Sequence, residues 1–187
     1  MMIVRRIAHL ILLGVLAVPW PVVGQSTNSG TTIDVEAIRA ILLHGLEQHK
    51  QMDIEFTRAI PDSALRWKPT PEVRDFAQQI DHIAVDNANF VVWGGIREMG
   101  PMLGDSAVYL NDKAELERVV IASYDWVIET LRSLPPQELV VETELFGQQL
   151  QKWHVYLQAL AHADWTRGQV VPYFRLNGMG PPGWKSY

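Results

Sequence analysis

Two histidines, His82 and His162, sit inside long stretches whose apolar residues recur at helical spacing. His82 directly precedes Ile83 in RDFAQQIDHI, and His162 lies within LQALAHADWTRGQVV. An apolar setting disfavours imidazolium, and the neutral ring is the form that binds a metal. The same setting suits a hydrogen-bonded core histidine, so residue type and spacing leave both roles open. Other histidines have weaker claims. His44 and His49 stand among Glu47, Gln48, Lys50 and Gln51, which reads as a solvated face. His154 precedes His162 by eight residues, a rotation of about 80° around a helix. These three are expected at the surface or rim.

Other chemistries find little support. The chain of 187 residues has no Cys, which excludes disulfides, thiolate ligands, iron–sulfur clusters and a Cys nucleophile. No G-x-S-x-G, H-E-x-x-H, P-loop or G-x-G-x-x-G pattern occurs. The Glu-x-x-His of carboxylate-bridged di-metal bundles is also absent, because Gln79 and Ala159 stand where the Glu would be. Glu142 and Glu144 read as loop acids ahead of the last helix, favourable near its dipole. A net charge of -5 without basic runs speaks against nucleic acid as a partner.

The N-terminus reads as an address. Arg5 and Arg6 precede an apolar run from Leu10 to Val18, and Pro19 and Pro21 follow. Val22 and Gly24 are small enough for the -3 and -1 positions of a signal-peptidase site. The run falls short of the roughly 20 residues a membrane span needs. Residues 1–24 are therefore expected to direct export to the periplasm or exterior and to be removed after Gly24, leaving no stable span. Without them the chain carries 14 basic and 21 acidic residues, a net of -7. Residues 25–33, polar and small as far as Thr32, read as a flexible lead-in.

Beyond the lead-in, the punctuation is helical. Asp34 opens a helix that Pro61 stops, and residues 61–74, with three Pro, make an extended connector. Asp75 and Gln78 have capping-box spacing for a second helix, which Gly94-Gly95 closes. A Gly- and Pro-punctuated loop spans Ile96–Leu110. Asp112 and Glu115 repeat the capping-box spacing for a third helix, ended by Pro135-Pro136. The last helix is expected from about Gln149 to Asn177, kinked at Pro172, with Gly178 as a left-handed cap. Strand signals are nearly absent. Four long amphipathic helices in one domain predict an all-α four-helix bundle. Most of the Trp residues are expected to anchor its core or grooves.

The segments KPTPEVRDFAQQIDHI (68–83) and HADWTRGQVVPYFRLNGMGPP (162–182), with FGQ at 146–148, resemble the DinB-like superfamily. The resemblance covers residues 34–182 and leaves 183–187 as a tail. It implies a divalent metal held by three His, one on the second helix and an H-x-x-x-H pair on the last. His82 and His162 match, but the third position falls on Thr166, a weak ligand. Asp86, one turn after His82, is the best substitute. A two-His-one-carboxylate set suits Zn, Ni, Mn or Fe. Relatives are implied to be metal-dependent transferases, isomerases or hydrolases acting on small molecules, some using thiols, often as homodimers. Arg167 would face an anionic substrate or a surface carboxylate. Against the enzyme stands a non-enzymatic extracytoplasmic binding module that has lost the metal, with His82 and His162 left in a packed core.

Overall fold

Asp34, Asp75 and Asp112 each start a helix by accepting backbone N–H groups that the first turn leaves without partners. The computed structural model describes residues 34–183 and Lys185. The expected signal peptide, its cleavage site and the lead-in lie outside the described residues, as does most of the tail. The four long helices are α1 (Val35–Ala59), α2 (Phe76–Trp93), α4 (Lys113–Ser133) and α5 (Lys152–Leu176), with a short α3 (Ser106–Tyr109) inside the expected loop. At Asp75 the capping box is complete: Gln78 N–H donates to Asp75 Oδ1 at 2.9 Å, and Asp75 N–H donates to Gln78 Oε1 at 3.0 Å. At Asp112 only the first half forms, because the Glu115 carboxylate accepts from Arg118 Nε at 2.8 Å instead. Gly178, at φ +71°, ends α5 in a Schellman pair, with Met179 N–H bonded to the Phe174 carbonyl at 2.9 Å.

One expectation fails ahead of α5. Residues 142–151 form a β-hairpin, β1 (Glu142–Leu145) paired antiparallel with β2 (Gln148–Gln151), and α5 begins only at Lys152. Phe146 (φ +52°) and Gly147 (φ +78°) make its two-residue turn, with the positive φ at both positions that a type I′ turn requires. Glu142 and Glu144 are therefore exposed strand residues, not helix-start charges. The strands are short and polar and lack the apolar alternation that marks a strand in sequence. Tertiary contacts hold them instead: Leu145 packs with Phe90, Val155 and Ala159, and Thr143 Oγ1 donates to the Gly94 carbonyl at 2.7 Å.

The long helices pack in a square, α1 and α2 each lying against both α4 and α5. Phe56, Phe76, Tyr173 and Phe174 meet edge to face near one end, at ring separations of 5.5–6.4 Å. At the other end α2 approaches α5 closely at Gly94, where a Cβ would sit 2.7 Å from Val155 Cγ2. α2 and α5 therefore run antiparallel, the start of one beside the end of the other.

Between the long helices lies a buried ion pair. Arg167 of α5 donates from Nε to Asp53 Oδ1 of α1 at 2.7 Å, and Tyr124 of α4 donates to Asp53 Oδ2 at 2.6 Å. Arg167 Nη1 also reaches Asp164 at 2.9 Å, and Nη2 lies 3.3 Å from His49 Nδ1. Arg167 is thus buried at the centre of this network, with one of its partners, Asp164, partly exposed. His49 likewise corrects the surface expectation, being fully buried. Its polar sequence neighbours mislead; it shares a helical stripe with Leu42, Leu46, Met52, Asp53 and Phe56, all of them buried. His44 is exposed, and His154 is half-buried and stacked on Trp153.

Two expectations follow for stability in urea. Arg167→Met strands the Asp53 carboxylate in the core and should cost about 3–5 kcal/mol, whereas Asp53→Leu combined with it should recover most of that loss. A double variant less stable than Arg167→Met contradicts this account. The second concerns acid. Burial, and then the Arg167 charge, lower the His49 pKa to about 4, outweighing Asp164 and Asp53. The unfolded ring binds a proton near 6.5, so this contribution is fully present above that pH and is lost as pH falls towards 4. The loss should reach about 3 kcal/mol, and His49→Gln should flatten the decline between pH 7 and 4.

Candidate metal centre

The capping box at Asp75 fixes where α2 starts, and a polar stripe runs from there through Arg74, Gln78, Asp81, His82, Asp86 and Asn89. On it, His82 Nδ1 lies 3.1 Å from Asp86 Oδ2. His162 of α5 brings Nε2 to 3.8 Å from the same oxygen. The His82 and His162 rings meet edge to face, their centroids 4.9 Å apart. One ligand atom from each of the three residues falls within 4.8 Å of the others, so the cluster could hold a metal ion. Tetrahedral ligands at about 2.1 Å from an ion stand about 3.4 Å apart, and the two measured separations straddle that value.

The donors suit a cation chemically. Burial lowers the pKa of both His82 and His162; Asp86 opposes this, and the Arg74 charge adds to it. Both rings are therefore neutral and able to donate a lone pair. Asp86 presents Oδ2 to them while its Oδ1 accepts from Asn89 Nδ2 at 3.0 Å, which fixes the carboxylate. Thr166, nearly fully buried, has Oγ1 3.4 Å from His162 Nε2. It lines the site next to a ring nitrogen, while Asp86 supplies the third donor. Asp164 faces Arg167 and His49 instead.

Two cavities open on the cluster. The polar one, about 310 Å³, is lined by Arg74, Gln78, Asp81, His82, Asp86 and Ser106 among others. Asp81 accepts from Tyr109 Oη at 2.9 Å, and burial raises its pKa. The other cavity, about 320 Å³, is lined by Phe90, Phe146, Gln158, Ala161, His162 and Trp165. A third, about 310 Å³, lies between α1 and α5 by Met52 and Phe56, away from the cluster; its two charged residues, Arg167 and Asp164, are bonded to each other. Sequence reasoning passed over Asp81, Arg74, Phe146 and Trp165. The period of the α2 polar stripe could have shown Arg74 and Asp81. Phe146 depends on the hairpin, and Trp165, expected among the anchors, is largely exposed.

A four-helix bundle with an imidazole–carboxylate cluster between two antiparallel helices defines the class. The sequence profile of the DinB superfamily matches residues 46–178, and the chain belongs to that superfamily. A DinB-like protein from Bacillus cereus ATCC 10987 is similar in structure, with a TM-score of 0.67 at 16% identity over 77% of this chain and 95% of that one. A DinB-like protein from Bacillus subtilis superposes with a TM-score of 0.61, also at 16% identity, over 78% of this chain and 98% of its own. At that identity the likeness establishes the fold. No curated protein matches the chain.

Proposed function

We propose that this DinB-superfamily protein is an exported, metal-dependent enzyme that transfers or hydrolyses a group on a small molecule. The observation that carries the reading is the convergence of His82, Asp86 and His162 at the mouth of two cavities. A divalent ion of the Zn, Ni, Mn or Fe class, once bound, supplies Lewis acidity that lowers the pKa of a water or thiol nucleophile. The protein's own groups do the rest. Burial keeps His82 and His162 neutral, Asp86 brings the negative charge, and Asn89 holds Asp86 in place. Asp81, whose pKa burial raises and whose carboxylate accepts from Tyr109, is the group placed to take up a proton in the polar cavity. Thr166 adds a hydroxyl beside His162. Export is supported by Arg5, Arg6 and the apolar run that follows; none of the described helices is long and apolar enough to cross a membrane.

Elemental mass spectrometry on the full chain, purified without a His tag, tests the site. About one equivalent of metal is expected, lost in His82→Ala and in Asp86→Ala. Asn89→Ala should keep the site but weaken its affinity about tenfold or more. Absence of metal after incubation with Zn, Ni, Mn and Fe would falsify the reading and favour a binding module with two core histidines. Export is checked by the N-terminal sequence of the protein recovered outside the cytoplasm, expected to start at Gln25.

A further inference from the structure

We infer that the cavity beside His162 is an aromatic subsite, which holds a planar ring of the substrate next to the metal position; this rests on the metal-centre reading above. Three large aromatic side chains that a monomer would ordinarily bury lie exposed around it: Trp165 (75%), Phe146 (69%) and Trp93 (47%). Phe90 lies beneath them, its ring centroid 5.4 Å from that of His162, 5.7 Å from Phe146 and 5.6 Å from Trp93. Trp165 stands one turn after His162 on α5, so the wall and the ligand share a helix face.

Phe146 carries a second, independent signal. It sits at φ +52°, a left-handed conformation that Asn or Gly adopts at lower cost than a bulky residue. The strain is borne by a ring that is mostly in solvent and adds little to the core. What the turn achieves is to bring that ring against Phe90 and Trp93, at the edge of the cavity that His162 lines.

The shape and charge of the cavity select its occupant. About 320 Å³ is at the small end of ligand sites, whereas a protein partner needs about 800 Å² of surface on each side. Rings of this kind can also cup a cation, but a divalent ion at His162 would repel one. Besides His162, Gln158 is the polar residue among the lining named above, and it carries no charge, so a neutral planar group fits best. The polar cavity contributes less selectivity by charge, since Arg74 lines it together with Asp81 and Asp86.

Two hydroxamates that differ only in phenyl against methyl test this on the zinc-loaded full chain. Benzohydroxamate should bind about tenfold tighter than acetohydroxamate. Trp165→Ala and Phe146→Asn should each reduce that ratio to about twofold or less, with zinc stoichiometry and acetohydroxamate affinity unchanged. Equal affinities in the parent, or a preference that survives both variants, overturn the inference. So does a chain that sediments as a dimer through these rings and shows no preference. The metal reading is scored separately by zinc content. If no zinc binds, saturation-transfer NMR with p-cresol on the metal-free chain decides: a signal lost in Trp165→Ala sustains the subsite, and an equal signal in both chains overturns it.

Discussion

The buried pair between Asp53 and Arg167 constrains everything built around α5. Each charge is tolerable inside the bundle only while it meets the other, because separation leaves an ion in a medium that cannot solvate it. Arg167 reaches Asp53 in only one rotational setting of α5 against α1. In that setting His162 and Thr166 point into the seam with α2, since they lie on a different face of the same helix. The network is thus a phase lock for the His82–Asp86–His162 cluster without touching it. Tyr124 and His49 strengthen the lock by joining α4 and a second turn of α1 to the same charges.

On the other side of the seam, α2 is phased from its first turn. The capping box at Asp75, with Arg66 Nε held on the Asp75 carboxylate at 2.8 Å, determines where the helix starts. The next two turns then bring His82 and Asp86 round to the same line. The close approach at Gly94 brings the far end of α2 against Val155. The seam is therefore gripped at both ends and opens near its middle, where the ligand atoms are. His82, Asp86 and His162 stand on two long helices with the carboxylate held by Asn89, so the cluster would need little reorganisation to accept an ion.

The inserts between the helices give the site its two characters. The connector carrying α3 brings Ser106 and Tyr109 to the polar side, and the hairpin brings Phe146 to the aromatic side. Each anchors itself with a buried side chain, Tyr109 in the connector and Leu145 in the hairpin. Their placement makes a cleft with different chemistry at its two ends, and the cluster stands where those ends meet. Asp86, where the resemblance implied a third imidazole, would bring a negative charge and a harder oxygen donor to a bound divalent ion.

Much of this was legible in the residues alone. Helix starts at Asp34, Asp75 and Asp112, stops at prolines and Gly178, and the all-α bundle follow from local rules, because capping and φ preferences act within a few residues. His82, Asp86 and His162 were also visible as candidates, the first two because i and i+4 share a helix face. The sequence could not reveal which distant groups meet. His49 reads as surface from its neighbours and is core because α1 turns that face inward. Arg167 reads as a surface or substrate contact and is buried because Asp53, more than a hundred residues away, compensates its charge. The hairpin has no strand signature, since its backbone pairing is made stable by Leu145 and Thr143 docking on α2 and α5. The registration of α5 against α2 is likewise tertiary: periodicity gives each helix a polar or apolar face, but only packing of the whole bundle decides which faces oppose one another, and at what distance.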